Sequence, residues 1–287
     1  MIRCGDSVDL LREIQDDGVD VTITDPPYSD HVHANHMVGG NPVKGKGSKR
    51  TKAKPTKKAL GFDGLSRPLR AQIAQELARV TKRWTLVFSD HEGSVDWGRD
   101  LAYAGLQVVR YGIWIKQGAP PQFTGDRPAV GHEVIVIAHR PPPGNKKQWN
   151  GGGHHARWTH NVDRSKNRIH TTQKPGPLCD ELVALFSNPG ECILDPFAGS
   201  GAILAAAARA GRTPYGIEID PVYAKHAAEW VHRETRAYDP CANLSDGATP
   251  GESGGGKTGK ASATRRKARG NSGRVAGAGA AGVKGRS

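Results

Sequence analysis

A carboxylate, two prolines and an aromatic ring follow one another directly after a short apolar run. The run is residues 21–24, Val-Thr-Ile-Thr, and the four residues after it are Asp25, Pro26, Pro27 and Tyr28. Such a run predicts a buried strand, and prolines end a strand because they donate no backbone hydrogen bond. Asp25 and the Pro26 carbonyl could each accept a hydrogen from an exocyclic amine, and the Tyr28 ring could stack on the attached heterocycle. The same pattern is also typical of a strand followed by a proline-rich turn. A second site is needed to decide between a functional site and such a turn.

A second candidate site lies far downstream, where an apolar strand, a glycine turn and a helix follow one another. The turn runs from Asp195 to Gly201, and the alanine-rich stretch 202–210 after it predicts a helix. This arrangement is typical of nucleotide binding, because glycines let the backbone approach a ligand closely. A further strand predicted at 214–220 carries Glu218, 23 positions after Asp195. That offset is close to the roughly 20 residues at which an acid meets ribose hydroxyls in doubly wound folds.

At these residues the chain resembles the DNA amino-methyltransferases, which transfer a methyl group from S-adenosylmethionine to N6 of adenine or N4 of cytosine. The stretch from Asp25 to Tyr28 is similar to the catalytic motif of that family, and the stretch from Asp195 to Gly201 is similar to its cofactor loop. The catalytic motif precedes the cofactor loop, an order that resembles the circularly permuted β group. The resemblance covers roughly residues 2–236, with specific motifs at both ends and a generic middle.

The resemblance also implies which residues bind the cofactor. Residues 170–175, His-Thr-Thr-Gln-Lys-Pro, look like the Thr-Gln-Lys-Pro element that helps hold the methionine part, although Thr171 stands where such proteins often have proline. Asp6 would contact the adenine of the cofactor, and from its position alone it could equally be a cap or turn residue. Phe197 and Glu218 would line the donor pocket. The full candidate set for cofactor binding is Asp6, Thr172, Gln173, Lys174, Asp195, Pro196, Phe197, Ala198, Gly199, Ser200, Gly201, Glu218 and Ile219.

The mechanism that the resemblance implies begins with rotation of the target base out of the duplex, since its amino nitrogen cannot meet the methyl donor while stacked and paired. Asp25 and the Pro26 carbonyl would accept the two amino hydrogens, and Tyr28 would stack on the flipped base. Transfer would be a direct in-line displacement that requires neither a covalent enzyme intermediate nor a metal. Asp rather than Ser before the prolines favours adenine over cytosine.

Three other functions stay open at this point. N4 methylation of cytosine uses the same geometry. A methyltransferase acting on RNA or on a protein amide is disfavoured by the permuted motif order and by the basic surface. A non-enzymatic DNA-binding protein would explain the basic segments but would leave both motifs without a use.

Strands and helices alternate along the chain, and this order predicts an α/β fold. The first strand, at 2–4, precedes a helix that Ser7 can cap. The middle of the chain ends in two adjacent strands, which predicts a doubly wound, mainly parallel sheet with an antiparallel edge and helices on both faces. The resemblance implies the seven-stranded type of methyltransferases. Further predicted strands lie at 84–89, 108–116 and 132–138, and predicted helices at 65–82, 93–104, 177–188 and 221–236.

The excess positive charge is concentrated in two segments. The chain has a net charge of +13, of which residues 41–60 carry +8 and residues 239–287 carry +6, so the rest is close to neutral. Such low-complexity segments cannot bury enough apolar surface to order themselves, and their expected partner is a phosphate backbone; a solubilising role is the alternative. We therefore predict a catalytic domain over 1–238, with a mobile basic insertion at 29–62, and a disordered tail over 239–287.

The segment 140–170 has no regular period and interleaves cations with aromatic rings, as nucleic-acid contact surfaces do. The family's order places target recognition here, and a plain surface loop is the alternative. Its shortness indicates few base contacts and hence a short or degenerate site. Histidines cluster at 31–36 and 154–160 without the carboxylate or cysteine spacing of a metal site, so we expect no metal. The cations and rings are Lys146, Lys147, Trp149, Arg157, Trp158, Arg164, Lys166 and Arg168.

The chain carries no signal for a membrane or for secretion. No apolar stretch approaches the roughly 18 residues of a membrane span, and no signal-peptide pattern opens the sequence. The four cysteines are too scattered for a zinc module or a disulfide framework. We therefore expect a soluble, cytoplasmic protein whose main partner is duplex DNA. The resemblance leaves a homodimer and a cognate restriction endonuclease open as further partners.

Overall fold

One eight-stranded sheet is formed by the residues that the structure describes. The structure is a computed structural model, and it describes residues 1–28, 65–122, 125–142, 146–164, 169 and 173–238. Each strand that the apolar runs predict is present within two residues of its predicted bounds. The strands are β1 (Ile2–Cys4), β2 (Val21–Thr24), β3 (Trp84–Ser89), β4 (Gln107–Gln117), β5 (His132–His139), β6 (Arg157–Asn161), β7 (Cys192–Asp195) and β8 (Thr213–Glu218).

The strand order across the sheet is β1-β8-β7-β2-β3-β5-β4-β6. Every neighbouring pair is parallel except the two that β5 makes, with β3 and with β4. The predicted α/β fold with a mainly parallel sheet is therefore confirmed. The antiparallel strand is not the outermost one, however, because β4 and β6 continue the sheet beyond it.

Strand β6 lies inside the segment for which the sequence indicated no regular structure. It runs parallel to β4 and places Trp158 opposite Trp114. Trp158 is 1% exposed and is the one fully buried residue of β6. A single apolar residue cannot establish an alternation of period two, so the strand left no detectable pattern. The expectation of irregular structure throughout 140–170 was therefore wrong for Arg157–Asn161.

Helices cover both faces of the sheet. Within the described residues they are α1 (Ser7–Arg12), α2 (Arg67–Val80), α3 (His91–Tyr103), α4 (Gly176–Phe186), α5 (Ala202–Arg209) and α6 (Pro221–Tyr238). Helices α1, α2 and α3 share one core cluster, in which Leu77 and Leu101 accompany Val87 of β3. Helices α4 and α5 bury Leu182 and Ile203 in the opposite cluster, and α6 packs on α5. Among these helices none is both long and apolar enough to cross a bilayer.

Helix α1 begins differently from the prediction. Asp6 is its N-cap, because Oδ1 accepts hydrogen bonds from the backbone amides of Val8 (2.8 Å) and Asp9 (3.2 Å). Ser7 is the first helical residue, and its hydroxyl donates to the Pro196 carbonyl (2.6 Å). The prediction that Ser7 caps the helix was therefore wrong, since Asp6 holds the N-cap position and Ser7 lies within the helix. The hydrogen bond from Ser7 to Pro196 ties α1 to the glycine turn.

Candidate active site

The two motif segments meet at the carboxyl edge of the sheet, although 171 positions separate Thr24 from Asp195. Strands β2 and β7 are parallel neighbours, with Val21 opposite Ile193, so the residues that follow each strand lie side by side. The Thr24 hydroxyl donates to Asp195 Oδ1 across this edge (2.7 Å). The structure therefore brings Asp25 next to the glycine turn.

The carboxylate of Asp25 has one oxygen occupied and one without a partner. Oδ2 forms an ion pair with the ammonium of Lys174. Oδ1 is buried and accepts no hydrogen bond from the described residues. Burial raises the pKa of Asp25 above its ordinary value, against the opposing effect of the Lys174 charge. A buried acceptor without a partner typically costs about 1–3 kcal/mol, so a ligand that donates to Oδ1 relieves this cost.

Lys174 is almost fully buried, with 4% of its side chain exposed. Its Nζ lies 3.3 Å from Glu133 Oε2, in addition to its contact with Asp25. Burial alone would lower the pKa of this ammonium, but the two carboxylates raise it above its ordinary value. The ammonium also lies 4.9 Å from the ring centre of Phe88 and 5.7 Å from that of Tyr28. Lys174, predicted as a cofactor residue, is thus the ion-pair partner of the candidate catalytic carboxylate.

The rest of the Asp-Pro-Pro-Tyr stretch lines the same place. Pro26 is buried, and Pro27 and Tyr28 are partly buried. The hydroxyl of Tyr28 is buried near the carboxylates of Asp25 and Glu133, and within the described residues it makes no hydrogen bond of ordinary geometry. Burial, followed by the charges of Asp25 and Glu133, raises the pKa of Tyr28 well above its ordinary value, so the phenol is neutral. A neutral ring beside a carboxylate acceptor suits a flat heterocycle that carries an amino group.

Glu218 holds the glycine turn with one carboxylate oxygen and the backbone just after β8 with the other. The amide of Gly199 donates to Oε2 (2.7 Å), and the amide of Asp220 donates to Oε1 (2.9 Å). Gly199 and Gly201 have φ of +51° and +85°, a region that favours glycine. A Cβ on Gly201 would lie 2.8 Å from Ala227 Cβ, whereas a Cβ on Gly199 would meet nothing nearer than 4.0 Å. The space over Gly199 is therefore open to a ligand, as a nucleotide-binding turn requires.

Asp195, which is 1% exposed, serves the turn itself. Its Oδ1 accepts from the Thr24 hydroxyl and from the amide of Phe197 (3.1 Å). Burial, aided by the charges of Asp25 and Glu218, raises the pKa of Asp195 to about 7. The side chain therefore stabilises the junction between β2 and the turn.

The other predicted residues of the turn differ in exposure. Ala198 and Ser200 are buried, and the Ala198 amide donates to the Ile217 carbonyl (2.9 Å). Ile219 is 67% exposed at the end of β8. One backbone hydrogen bond thus ties the turn to β8.

Gln173 connects the candidate site to the segment after β6. Its Nε2 donates to Asp163 Oδ2 (2.8 Å). The neighbouring Thr172, also predicted to bind the cofactor, lies outside the described residues. A cavity of about 820 Å³ lies beside Gln173, between the end of β6, the start of α4 and α6. Its lining includes Gln117, Asn161, Arg164, Trp230 and Arg233.

Two histidines that the sequence singled out pair with an acid on α4. His154 Nε2 lies 3.2 Å from Glu181 Oε1, and His160 Nε2 lies 2.6 Å from Oε2. Each imidazole faces a different oxygen, so these contacts fasten the segment around β6 to α4. In the part of the chain that the structure describes, no group of three or more His, Cys, Asp or Glu residues could hold a metal ion. The histidines at 31–36 lie outside that part.

Comparison with known proteins identifies the family. Residues 19–229 match the N6/N4 methyltransferase family model, whose description is DNA methylase. The chain belongs to the N6/N4 DNA methylase family. The DNA adenine methyltransferase YhdJ of Escherichia coli K12 is 26% identical to this DNA methylase over 250 residues, which is 77% of this chain and 79% of YhdJ.

Solved structures share the fold of this DNA methylase. The M1.HpyAVI–SAM complex has a TM-score of 0.58 at 20% identity, and the match covers 80% of this chain and 98% of that one. The cytosine-N4-specific PvuII DNA methyltransferase has a TM-score of 0.58 at 14% identity, with 84% and 92% covered. At such identities the likeness shows the fold.

Two charged residues of this DNA methylase, Glu133 on β5 and Lys116 on β4, were not predicted as site residues from the sequence. Lys116 Nζ lies 2.6 Å from Glu133 Oε1. Burial alone would raise the pKa of Glu133, but the charges of Lys174 and Lys116 lower it below its ordinary value. A signal was present, because Glu133 is the single acid in the apolar run 132–138. A charged side chain inside a buried strand needs a partner of opposite charge, and such a buried ion pair indicates a candidate functional site.

Proposed function

We propose that this DNA methylase transfers a methyl group from S-adenosylmethionine to the N6 amino group of adenine in duplex DNA. The observation that carries the proposal is that the two carboxylate oxygens of Asp25 have different surroundings. Lys174 holds Oδ2, while Oδ1 is a buried acceptor without a partner among the described residues. An exocyclic amino group supplies the hydrogen-bond donor that this oxygen lacks.

The residues around the glycine turn fit the cofactor. The open space over Gly199 lets a ligand approach the backbone. Strands β1 and β8 are parallel neighbours with Cys4 opposite Glu218, so Asp6 and Glu218 lie at one edge, where they would hold the adenine and the ribose. Phe197 would line the same pocket. When bound, S-adenosylmethionine supplies an electrophilic methyl group on its sulfonium sulfur.

The protein's own contribution is to position and polarise the amino group. Asp25 and the Pro26 carbonyl accept hydrogen bonds from its two N–H groups, which weakens conjugation of the nitrogen lone pair with the ring. The lone pair then becomes available to the methyl group, and the Tyr28 ring stacks on the base. Positioning and local electrostatics supply the acceleration.

Because Asp25 Oδ1 is buried, a target base would have to leave the duplex to reach it, and this supports base flipping. A paired and stacked base keeps its amino group inside the duplex, where a buried carboxylate oxygen cannot reach it. Rotation of the nucleotide out of the stack costs a few kcal/mol. The hydrogen bonds to Asp25 and the stacking on Tyr28 would offset part of this cost.

N4 methylation of cytosine is the second candidate. The fold likeness to the cytosine-N4-specific PvuII enzyme favours it, and the amino group of cytosine has the same two donors. Two observations support adenine instead. Asp rather than Ser precedes the two prolines, and YhdJ, which covers most of this chain, is named a DNA adenine methyltransferase.

Mass analysis of nucleosides tests the choice of base. Duplex DNA is treated with the full chain and labelled S-adenosylmethionine, then digested to nucleosides. We expect labelled N6-methyladenine. Labelled N4-methylcytosine would overturn the adenine assignment, and labelling of RNA or protein but not of duplex DNA would overturn the substrate assignment.

Asp25→Ala tests the assignment of the catalytic carboxylate. We expect methyl transfer to fall at least about 100-fold, because the acceptor for the amino hydrogen is gone. Binding of S-adenosylmethionine, measured by calorimetry, should persist. Asp20→Ala is a matched control, since Asp20 lies at the amino end of the same strand and pairs with Lys82 there. Near-normal turnover by Asp25→Ala would refute the assignment.

A further inference from the structure

Glu133 is a buried acid that the chemistry described above leaves without a task. It lies in β5 with 13% of its side chain exposed. Its Oε1 lies 2.6 Å from Lys116 Nζ, and its Oε2 lies 3.3 Å from Lys174 Nζ. An unpaired buried carboxylate is costly, so the two lysines keep Glu133 ionised.

Four charges of alternating sign form what we name the charge network: Lys116, Glu133, Lys174 and Asp25. At its centre, one ammonium is shared between two carboxylates. In a buried site such interactions are several times stronger than in water. Sharing leaves more of the negative charge of Asp25 uncompensated than a simple ion pair would, and an ionised acceptor makes a stronger hydrogen bond.

We propose that Glu133 is a positioning residue for methyl transfer: by sharing the Lys174 ammonium, it leaves Asp25 Oδ1 a stronger hydrogen-bond acceptor for the target amino group. The inference rests on the proposed function, in which Asp25 Oδ1 receives an amino hydrogen. Glu133 acts through Lys174 and does not touch the base.

Three further titratable groups of the described chain lie near the charge network: Tyr28, Cys179 of α4 and Asp195. Tyr28 and Cys179 stay neutral, because burial raises the pKa of each. Asp195, with a pKa of about 7, is common to the wild type and to every variant. A change at Glu133 or Lys174 can therefore be compared against a constant background.

Glu133→Gln removes a negative charge that raises the pKa of Asp25 and keeps nearly the same shape. The Lys174 ammonium then neutralises Asp25 alone, so the pKa of Asp25 falls and the acceptor weakens. We expect kcat to fall about tenfold. In the plot of kcat against pH, the rise on the acidic side (the acid limb) should move to lower pH, because Asp25 must be ionised to act. KM for DNA and for S-adenosylmethionine should stay within about twofold, since Glu133 contacts neither.

Lys174→Met should move the acid limb in the opposite direction. The Lys174 charge lowers the pKa of Asp25, so its removal raises that pKa and shifts the limb to higher pH. If Lys174 served chiefly to hold the methionine part of the cofactor, the variant would instead weaken S-adenosylmethionine binding and leave the limb in place. That result would overturn the inference.

Glu191→Gln is the matched control. Glu191 is a comparably buried acid, paired with Arg83 just before β7, at the opposite edge of the sheet. Rates of methyl transfer across pH and thermal denaturation are measured for both variants. Equal kcat and equal acid limbs in Glu133→Gln and Glu191→Gln would overturn the inference, as would an effect of Glu133→Gln confined to KM.

Glu133→Asp keeps the charge and should return the acid limb to its wild-type position and restore part of kcat. If Glu133→Gln fails to fold, Glu133→Asp and Lys174→Met decide the question. A wild-type chain that methylates no DNA would defeat the proposed function. An active wild type with an inactive Asp25→Ala and a normal Glu133→Gln would defeat only the role of Glu133.

Discussion

At the scale of single residues, four acids lie at one edge of the sheet and each has a different task. Asp195 is held by Thr24 and a backbone amide, and Glu218 accepts from one amide of the turn and from the amide of Asp220 after β8. Glu133 is paired with two lysines. Both oxygens of Glu133 face a lysine ammonium, whereas Asp25 has one oxygen in an ion pair and the other buried with neither a hydrogen bond nor an ion pair in the described chain. This difference in hydrogen bonding, which residue type does not reveal, marks Asp25 as the acceptor.

Asp195→Asn should change how stability depends on pH. The folded pKa is about 7 and the ordinary value is 3.8, so ionisation favours the unfolded chain and wild-type stability falls as pH rises between these values. Asn cannot ionise but keeps an oxygen for Thr24. The unfolding free energy of the variant relative to wild type should therefore rise from pH 4 to 7, by about 1.4 kcal/mol per unit of pKa difference, and level off above.

Denaturant unfolding at several pH values measures this slope. Asp20→Asn is a control for which the pH dependence of stability has the opposite sign. Burial alone would raise the pKa of Asp20, but Lys82 and the Cys192 amide lower it below its ordinary value. Its contribution to stability is present above the ordinary pKa and is lost as the pH falls through the lowered one. A flat difference for Asp195→Asn would mean that Asp195 is ionised throughout this range.

At the scale of elements, the glycine turn has two functions, and a different glycine performs each of them. Gly201 begins α5 with a left-handed conformation and lies against α6 at Ala227. Gly199 faces open space and donates its amide to Glu218. One glycine therefore serves helix packing, and the other serves the ligand.

Gly201→Ala and Gly199→Ala should separate these jobs. Gly201→Ala adds a collision with Ala227 to backbone strain and should lower the unfolding free energy by about 2–4 kcal/mol. Gly199→Ala adds only backbone strain, about 1–2 kcal/mol, but places a methyl group where the cofactor would approach. Calorimetry should show weaker binding of S-adenosylmethionine by Gly199→Ala. Equal stability losses and equal affinities would contradict this division.

At the scale of the whole molecule, the described residues carry the fold and the candidate site, while most of the excess charge lies elsewhere. The basic insertion at 29–62 and the tail at 239–287 lie outside the described residues. Their predicted role as non-specific partners of the phosphate backbone follows from composition and stays a prediction.

Deletion of residues 239–287 tests that role. The tail carries nine basic and three acidic residues. We expect DNA affinity to fall at low salt and the slope of log affinity against log salt to become shallower, by about 0.9 for each phosphate that the shortened chain no longer neutralises. The methylation rate at saturating DNA should stay unchanged. An unchanged salt slope would favour the solubilising alternative.

Much of the fold could be predicted because its signals are local. Apolar runs marked the parallel strands, and the two motifs followed β2 and β7. Other features left no local signal. Strand β6 buries one residue. Ser7 looks like a cap, but Asp6 takes that position and the Ser7 hydroxyl donates to the distant Pro196 carbonyl.

The sequence by itself determined which residues stand at the carboxyl edge of the sheet, because apolar, β-branched runs buried on both faces form parallel strands whose carboxyl ends share one edge. Only the tertiary structure decided which charges meet there. Lys174 reaches Asp25 across 149 positions, and Glu133 lies on β5, which is antiparallel to its neighbours in the described sheet. Strand order across a sheet depends on long-range packing, so the partners of a buried charge cannot be identified from the residues beside it in the chain.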